Sequence, residues 1–263
     1  MVYWTRRKFM RATALSMWLP PVAFASESQQ LSQMVTTVLQ SQKAGFESNN
    51  WEAYIEPWSR KAQWVAKRLE DDPQYEIILH YDAVLARMKL LAKSGGAAPK
   101  MTHVGITPSI DPSGEKGTVK AQTTLKTGTY SETIGEIYRL RKEQDAWRIT
   151  HNTYWLRQTS KGARTTTYNT QYFLTADKNV LAAKTKGPLE SAIALCHAMR
   201  WSEAHHQLHK LTNGKQASAN TWALRAHAAF MLGDTEDAIA SVTAARAVKA
   251  DIPLPSWASG LVK

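Results

Sequence analysis

Apolar positions along the chain fall first into helical and then into strand spacing. Leu31, Met34, Val35, Val38 and Leu39 recur at the i, i+3, i+4, i+7, i+8 interval of one helix face. Asn49-Asn50 supplies a cap ahead of Trp51, Tyr54, Ile55 and Trp58, which repeat that interval, and Pro57 ends or kinks this short helix. A further helix is predicted from Asp72-Pro73, where proline suits a first turn, to about Lys93. Ile78, Tyr81, Asp82, Leu85 and Lys89 trace one side of it, and Ser94-Gly95-Gly96 breaks it. The period then drops to two. Met101–Ile110, Thr118–Lys126, Glu132–Arg141 and Ala146–Arg157 read as four strands, joined at Asp111-Pro112-Ser113-Gly114, Thr127-Gly128 and Lys142–Asp145. On the last strand Trp147, Ile149, His151, Thr153 and Trp155 are expected on one face. Helices followed by hairpin-linked strands predict an α+β domain, a curved antiparallel sheet folded over helices.

That order resembles the nuclear-transport-factor-2-like (SnoaL-like) superfamily. The likeness covers roughly residues 30–157 and rests on the helical start, the long third strand and the closing Asp145-Ala146-Trp147-Arg148-Ile149 strand. The resemblance implies a cone whose sheet and helices enclose a pocket, a fold that serves enzymes and pure binding modules alike.

Residues 158–187 carry Thr, Lys and Gly with a few aromatics and read as a linker with room for a short hairpin or helix. From Pro188 to residue 263 the chain is helical. Trp222, Ala226, Ala229, Phe230, Gly233, Asp234, Ala238, Ile239, Val242, Ala245 and Pro253 resemble the tetratricopeptide repeat of about 34 residues. Leu189–Leu211 matches more weakly, through Trp201-Ser202-Glu203-Ala204. Small residues at Ala204 and Ala238 suit close helix pairing. Mapped on that pattern, the repeat groove carries Ile193, Cys196 and His197 on the first unit, and Asn220, Ala223, His227, Phe230 and Met231 on the second. Two units are fewer than the three such arrays usually need, so the same face is also a candidate cap against the first domain.

Residues 1–25 form a candidate cleavable signal. Arg6, Arg7, Lys8 and Arg11 precede a weakly apolar run interrupted by Pro20-Pro21 and ending Ala23-Phe24-Ala25. Thr5-Arg6-Arg7-Lys8-Phe9-Met10-Arg11 resembles the twin-arginine export motif, which implies a periplasmic protein released after Ala25. Domain boundaries follow: signal 1–25, cone 26–157, linker 158–187 and helical array 188–263. Removal of the signal's four bases lowers the formal net charge from +11 to +7. The remaining bases are scattered, without a compact run or a nucleic-acid motif, so nucleic acid is not an expected partner. No eighteen-residue apolar stretch exists to predict a spanning helix.

Candidate chemistry is sparse. A cone enzyme would place a carboxylate or His in an apolar pocket. The candidates are His80, Tyr81, Asp82, His103, Glu132, Glu136, Tyr138 and His151. Glu132, Glu136 and Tyr138 share one strand face, and Glu136 with His151 is the sharpest acid–base pairing. Trp51, Tyr54, Trp58 and Trp64 read as core or as a carbohydrate platform. His205 and His209 stand at i, i+4 near the single cysteine, Cys196, but without a supporting carboxylate motif, and no metal site is expected. No phosphate loop, nucleophile motif or cofactor signature occurs, so no cofactor is expected. The expected function is a non-enzymatic binding or scaffold protein that engages a protein or peptide through the helical groove. The alternative is a SnoaL-like isomerase or hydrolase on a small apolar substrate, with Glu136, His151 and Asp82 as its candidates. A homodimer through the sheet stays open. A cone filled by tryptophan and tyrosine favours the binding module, and a closed apolar cavity holding a carboxylate or His favours the enzyme.

Overall fold

The computed structural model describes residues 21–48, 55–93, 100–213 and 217–258. Helix α1 (Pro21–Ser48) is followed by β1 (Trp58–Lys67), β2 (Ile77–His80) and helix α2 (Tyr81–Lys93). Four long strands come next: β3 (Lys100–Ile110), β4 (Lys116–Thr127), β5 (Tyr130–Glu143) and β6 (Ala146–Lys161). The short β7 (Arg164–Thr167) leads into helices α3 (Thr170–Ala183), α4 (Pro188–His197), α5 (Trp201–Thr212), α6 (Ala219–Met231) and α7 (Thr235–Val248). A 3-10 turn, Ser256–Ala258, follows. Arg6, Arg7, Trp51 and Tyr54 lie outside the described residues, and Ala25 falls on α1.

The seven strands among the described residues form one sheet in the order β2-β1-β6-β5-β4-β3, with β7 on β6. Pairing is antiparallel throughout except for β1, which runs parallel to β6. The predicted meander is present, with each strand longer than its alternating core alone. Two expectations upstream of it change. Trp58–Lys67 is a strand rather than the end of a helix, its aromatic spacing interrupted by a register shift against β6 between Trp58 and Gln63. The helix predicted from Pro73 begins at Tyr81, because Ile77–His80 pairs with β1 as an edge strand.

Leu31, Val35 and Val38 of α1 and Val84 of α2 close the concave side of the sheet over Val119, Ala121, Leu140, Trp147 and Ile149. In the expected linker, β6 runs on to Lys161 and Asn169 caps α3 by accepting the Tyr172 N–H. Phe173, Ala176, Val180 and Ala183 then give α3 a buried face. Helices α3 to α7 pack each on the next. Ala204 and Ala238 are fully buried, as small residues at helix crossings should be.

Candidate functional site

The concave side of the sheet is occupied by aromatic rings. Trp58 and Trp64 of β1 stack with centroids 4.0 Å apart, Trp58 meets Tyr138 at 6.2 Å, and Trp64 meets Tyr81 at 6.4 Å. All four side chains are buried. The readings of Trp58 and Trp64 as core or platform thus resolve to core.

Among the described residues, one carboxyl group stands in this interior. Glu136 of β5 is 5% exposed and accepts from the Thr123 hydroxyl of β4, from the Tyr138 phenol at 2.8 Å and from the Asn152 amide of β6 at 3.2 Å. Burial pushes its carboxyl above the usual carboxylate range, against the pull of these three hydrogen bonds. The cluster ties three adjacent strands together through their inward side chains.

Its expected partner is elsewhere. Strand β6 carries an extra residue at Thr150: Ile149 pairs with Leu140, and His151 with Arg139. The Thr150 hydroxyl donates to the Arg139 carbonyl at 3.1 Å within this bulge. One added residue reverses the alternation. Trp147 and Ile149 point inward, Asn152 takes the next inward position, and His151, Thr153 and Trp155 turn to the outer face. The pairing of Glu136 with His151 and the single face from Trp147 to Trp155 are therefore both corrected. Burial, with Arg139 close by, also holds the His151 ring below its ordinary pKa.

The other candidates disperse. Asp82 is exposed in the first turn of α2. Tyr81 is buried and accepts from the Arg60 guanidinium at 3.1 Å, and burial raises its pKa. His80 is exposed on β2. His103 lies on β3 opposite Thr123. Glu132 keeps the parity of Glu136 along β5 but sits toward the strand's open end, accepting from the Tyr130 phenol at 2.5 Å.

The expected helical groove divides in two. Ile193, His197 and Asn220 are exposed and Ala223 is half-buried. Phe230 stacks on Trp257 at 4.4 Å with 7° between the rings, lies 4.7 Å under the Arg87 guanidinium of α2, and packs with Leu90 and Met231. His227 meets the Trp201 ring edge-on at 5.2 Å, and burial, with Arg87 nearby, lowers its pKa. The lower half of the groove is thus covered by the helix that flanks the cone. Cys196 is a buried core thiol, pushed by burial up to about 12. His205 spends its Nε2 on Asp237 at 2.7 Å, and no cluster of metal-ligating residues occurs among the described residues.

Three features were missed in the sequence. Arg68, 3% exposed, makes a two-pronged bond to Asp177 of α3 at 3.3 and 2.8 Å, between the rings of Tyr75 and Phe173, each 4.3 Å away. It fastens the sheet to the first of the five packed helices; no local pattern marks a lone arginine for this. Asp237 gathers Arg225 at 3.1 and 2.5 Å and His205. Burial works to raise this carboxyl, and the hydrogen bonds and charges of Arg225 and His205 outweigh it, leaving it below its ordinary value. The third feature is a groove of about 560 Å³ on the outer face, bounded by the loop from Leu69 to Gln74, by Trp155 and Arg157 of β6, and by Tyr168 to Thr170.

No protein-family model matches the chain, and no curated protein matches it. Solved structures match over about its first half. A nuclear-transport-factor-2-like protein of unknown function from Shewanella baltica is 12% identical over 48% of this chain and 94% of its own, with a TM-score of 0.35. Another from Pseudomonas putida is 8% identical over 50% of this chain and 87% of its own, with a TM-score of 0.40. A Novosphingobium aromaticivorans protein, named provisionally as a scytalone dehydratase, is 7% identical over 55% of this chain and 95% of its own, with a TM-score of 0.40. These are similarities of fold alone.

Proposed function

We propose that this chain is an exported, non-catalytic binding protein, in which a nuclear-transport-factor-2-like cone acts as the scaffold for a tetratricopeptide-like helical array. One observation carries the reading: the concave side of the sheet is filled by Trp58, Trp64, Tyr81 and Tyr138. The carboxyl there, Glu136, is committed to three side chains. An isomerase or hydrolase on a small apolar substrate would need that space. Asp82 and His151 do not stand beside Glu136, and the titratable neighbour that does, Tyr138, is buried with its phenol donated to the carboxyl.

The array's remaining open face, Ile193, His197, Asn220 and Ala223, is the surface for a protein or peptide partner. Covering of Phe230 by α2 and Trp257 supports the idea that a short array leans on the first domain for its cap. The periplasm follows from the paired arginines and the Ala25 site.

Two experiments test this. A pull-down from a periplasmic extract compares wild type with the Ile193→Glu, Asn220→Arg double variant, whose melting point should match wild type because both sites are exposed. Loss of the recovered proteins is expected; an unchanged set removes this face as the binding site. Arg6→Lys with Arg7→Lys should leave an uncleaved precursor in the cytoplasm, and normal processing would contradict twin-arginine export.

A further inference from the structure

The outer groove has the build of a ligand site, and its floor is an aromatic ring laid against the sheet. Trp155 and Gly135 are cross-strand partners on β6 and β5. A β-carbon at position 135 would come within 2.4 to 2.9 Å of the indole atoms Cζ2, Cε2 and Nε1. Glycine is therefore what allows the ring to lie down on the sheet instead of standing off it. Trp155 also lines the groove and stays partly exposed.

Polar groups surround this floor from three directions. Arg157 is held at 2.7 Å by Gln122, the neighbour of Gly135 on β4. Tyr168 is fixed by contact with the Thr159 hydroxyl at 3.2 Å and by the Tyr172 ring at 4.8 Å. Asp71 and Gln74 come from the facing loop, and Asn169 from the cap of α3. Three carboxylates and one guanidinium line it: Glu70 pairs with Lys120 at 3.5 Å and Asp72 with Arg68 at 3.6 Å, which leaves Asp71 and Arg157 to offset each other, so the groove does not select one sign of charge. Its planar groups both donate and accept hydrogen bonds around an apolar face. The volume lies within the range of small-molecule sites.

We propose that this groove binds a neutral saccharide, with the Trp155 indole as the platform for the C–H face of a sugar ring and the rim groups as partners for its hydroxyls. A hydroxyl-rich ring with one apolar face matches both halves of the lining. A cationic peptide would meet Arg157, and an anion would meet Asp71. The site is separate from the helical face, so its failure leaves the scaffold reading standing.

The test is a titration of the 15N-labelled protein with maltotriose, cellotriose and chitotriose, and in parallel with trilysine, following the indole N–H signals. Trp155 is assigned from the Trp155→Phe spectrum. The expected result is a saturable shift of the Trp155 signal with at least one trisaccharide. The affinity, read from the other groove signals, should fall by about tenfold or more in Trp155→Ala and be partly retained in Trp155→Phe. Asp71→Ala, on an exposed loop, is the second variant should Trp155→Ala fail to fold, with an expected loss of about tenfold. No shift with any of the three sugars at about 10 mM, roughly a thousandfold above a micromolar-range constant, overturns the proposal. So does a response to trilysine alone, or an affinity unchanged in Trp155→Ala and Asp71→Ala.

Discussion

The cone and the helical array each hold one carboxyl group in a hydrogen-bonded cluster, and they treat it in opposite ways. In the cone, Glu136 meets a hydroxyl, a phenol and an amide; the cost of burial dominates, and the proton is held more tightly than usual. In the array, Asp237 meets Arg225 and His205; the same cost is outweighed, and the proton is held less tightly. Neutral donors replace part of the lost hydration, whereas a guanidinium adds a Coulomb attraction that strengthens in low dielectric. Packing differs in parallel. The cone fills its interior with Trp58, Trp64, Tyr81 and Tyr138, while the array brings helices together over Ala204, Ala226, Ala229 and Ala238. A sheet curved over helices leaves a wide space that large rings can fill, and that leaves Glu136 as a cross-link between strands.

The largest expected effect probes the aromatic side of this comparison. Trp147→Ala, at a ring 7% exposed beside Leu140 and Ile149, should lower stability by about 3–5 kcal/mol in denaturant melts. A loss below about 1 kcal/mol would mean that the inner face of β6 is wrongly placed. The junction between the two regions comes next. Gly233 has φ +81°, and a β-carbon there would meet Leu79 Cδ2 of β2 at 2.6 Å. Gly233→Ala should lose about 2–3 kcal/mol, from backbone strain and contact together. An unchanged melt would mean that the turn does not rest on the cone.

The two carboxyls separate by pH. Asp237 is depressed when folded, so its contribution is present above the ordinary aspartate pKa of about 3.9 and is lost as pH falls through the folded value. Asp237→Asn should lose about 1–2 kcal/mol at pH 7 and blunt the acid sensitivity of the helical signal. Glu136 is raised, so stability falls as pH climbs from about 4.3 toward its folded value. Glu136→Gln should change stability at pH 7 by less than about 1 kcal/mol and remove that dependence. Parallel pH profiles for the two variants would erase the contrast.

The meander was legible because its strands alternate, and the turn at Gln144-Asp145, both with positive φ, joins β5 to β6 as expected. The bulge at Thr150 was not: a single inserted residue leaves no mark on composition and reverses the side chains beyond it as far as the next register shift, between Leu156 and Gln158, which is why His151 was placed beside Glu136. Strand β1 was hidden by its own register shift, which spaces Trp58 and Trp64 irregularly. Helix α3 could have been found from Phe173, Ala176, Val180 and Ala183 at helical spacing, had the Thr- and Lys-rich surroundings not suggested a linker. Glu136 was legible as a candidate, but its neighbours were not, since Thr123 and Asn152 reach it from other strands. The platform at Trp155 needed the cross-strand match to Gly135, a pairing that only the register supplies.

The central claim is that the cone is a packed core and not an open pocket. Titration of the methyl-labelled protein with benzene and cyclohexanone, following the methyl signals of Val119, Leu140 and Ile149, tests it most directly. No saturable shift at these methyls is expected with either probe. Saturable shifts centred on Val119 and Ile149, with a matching change in the Glu136 carboxyl signal, would show an open cavity lined by a titratable acid and would contradict the claim.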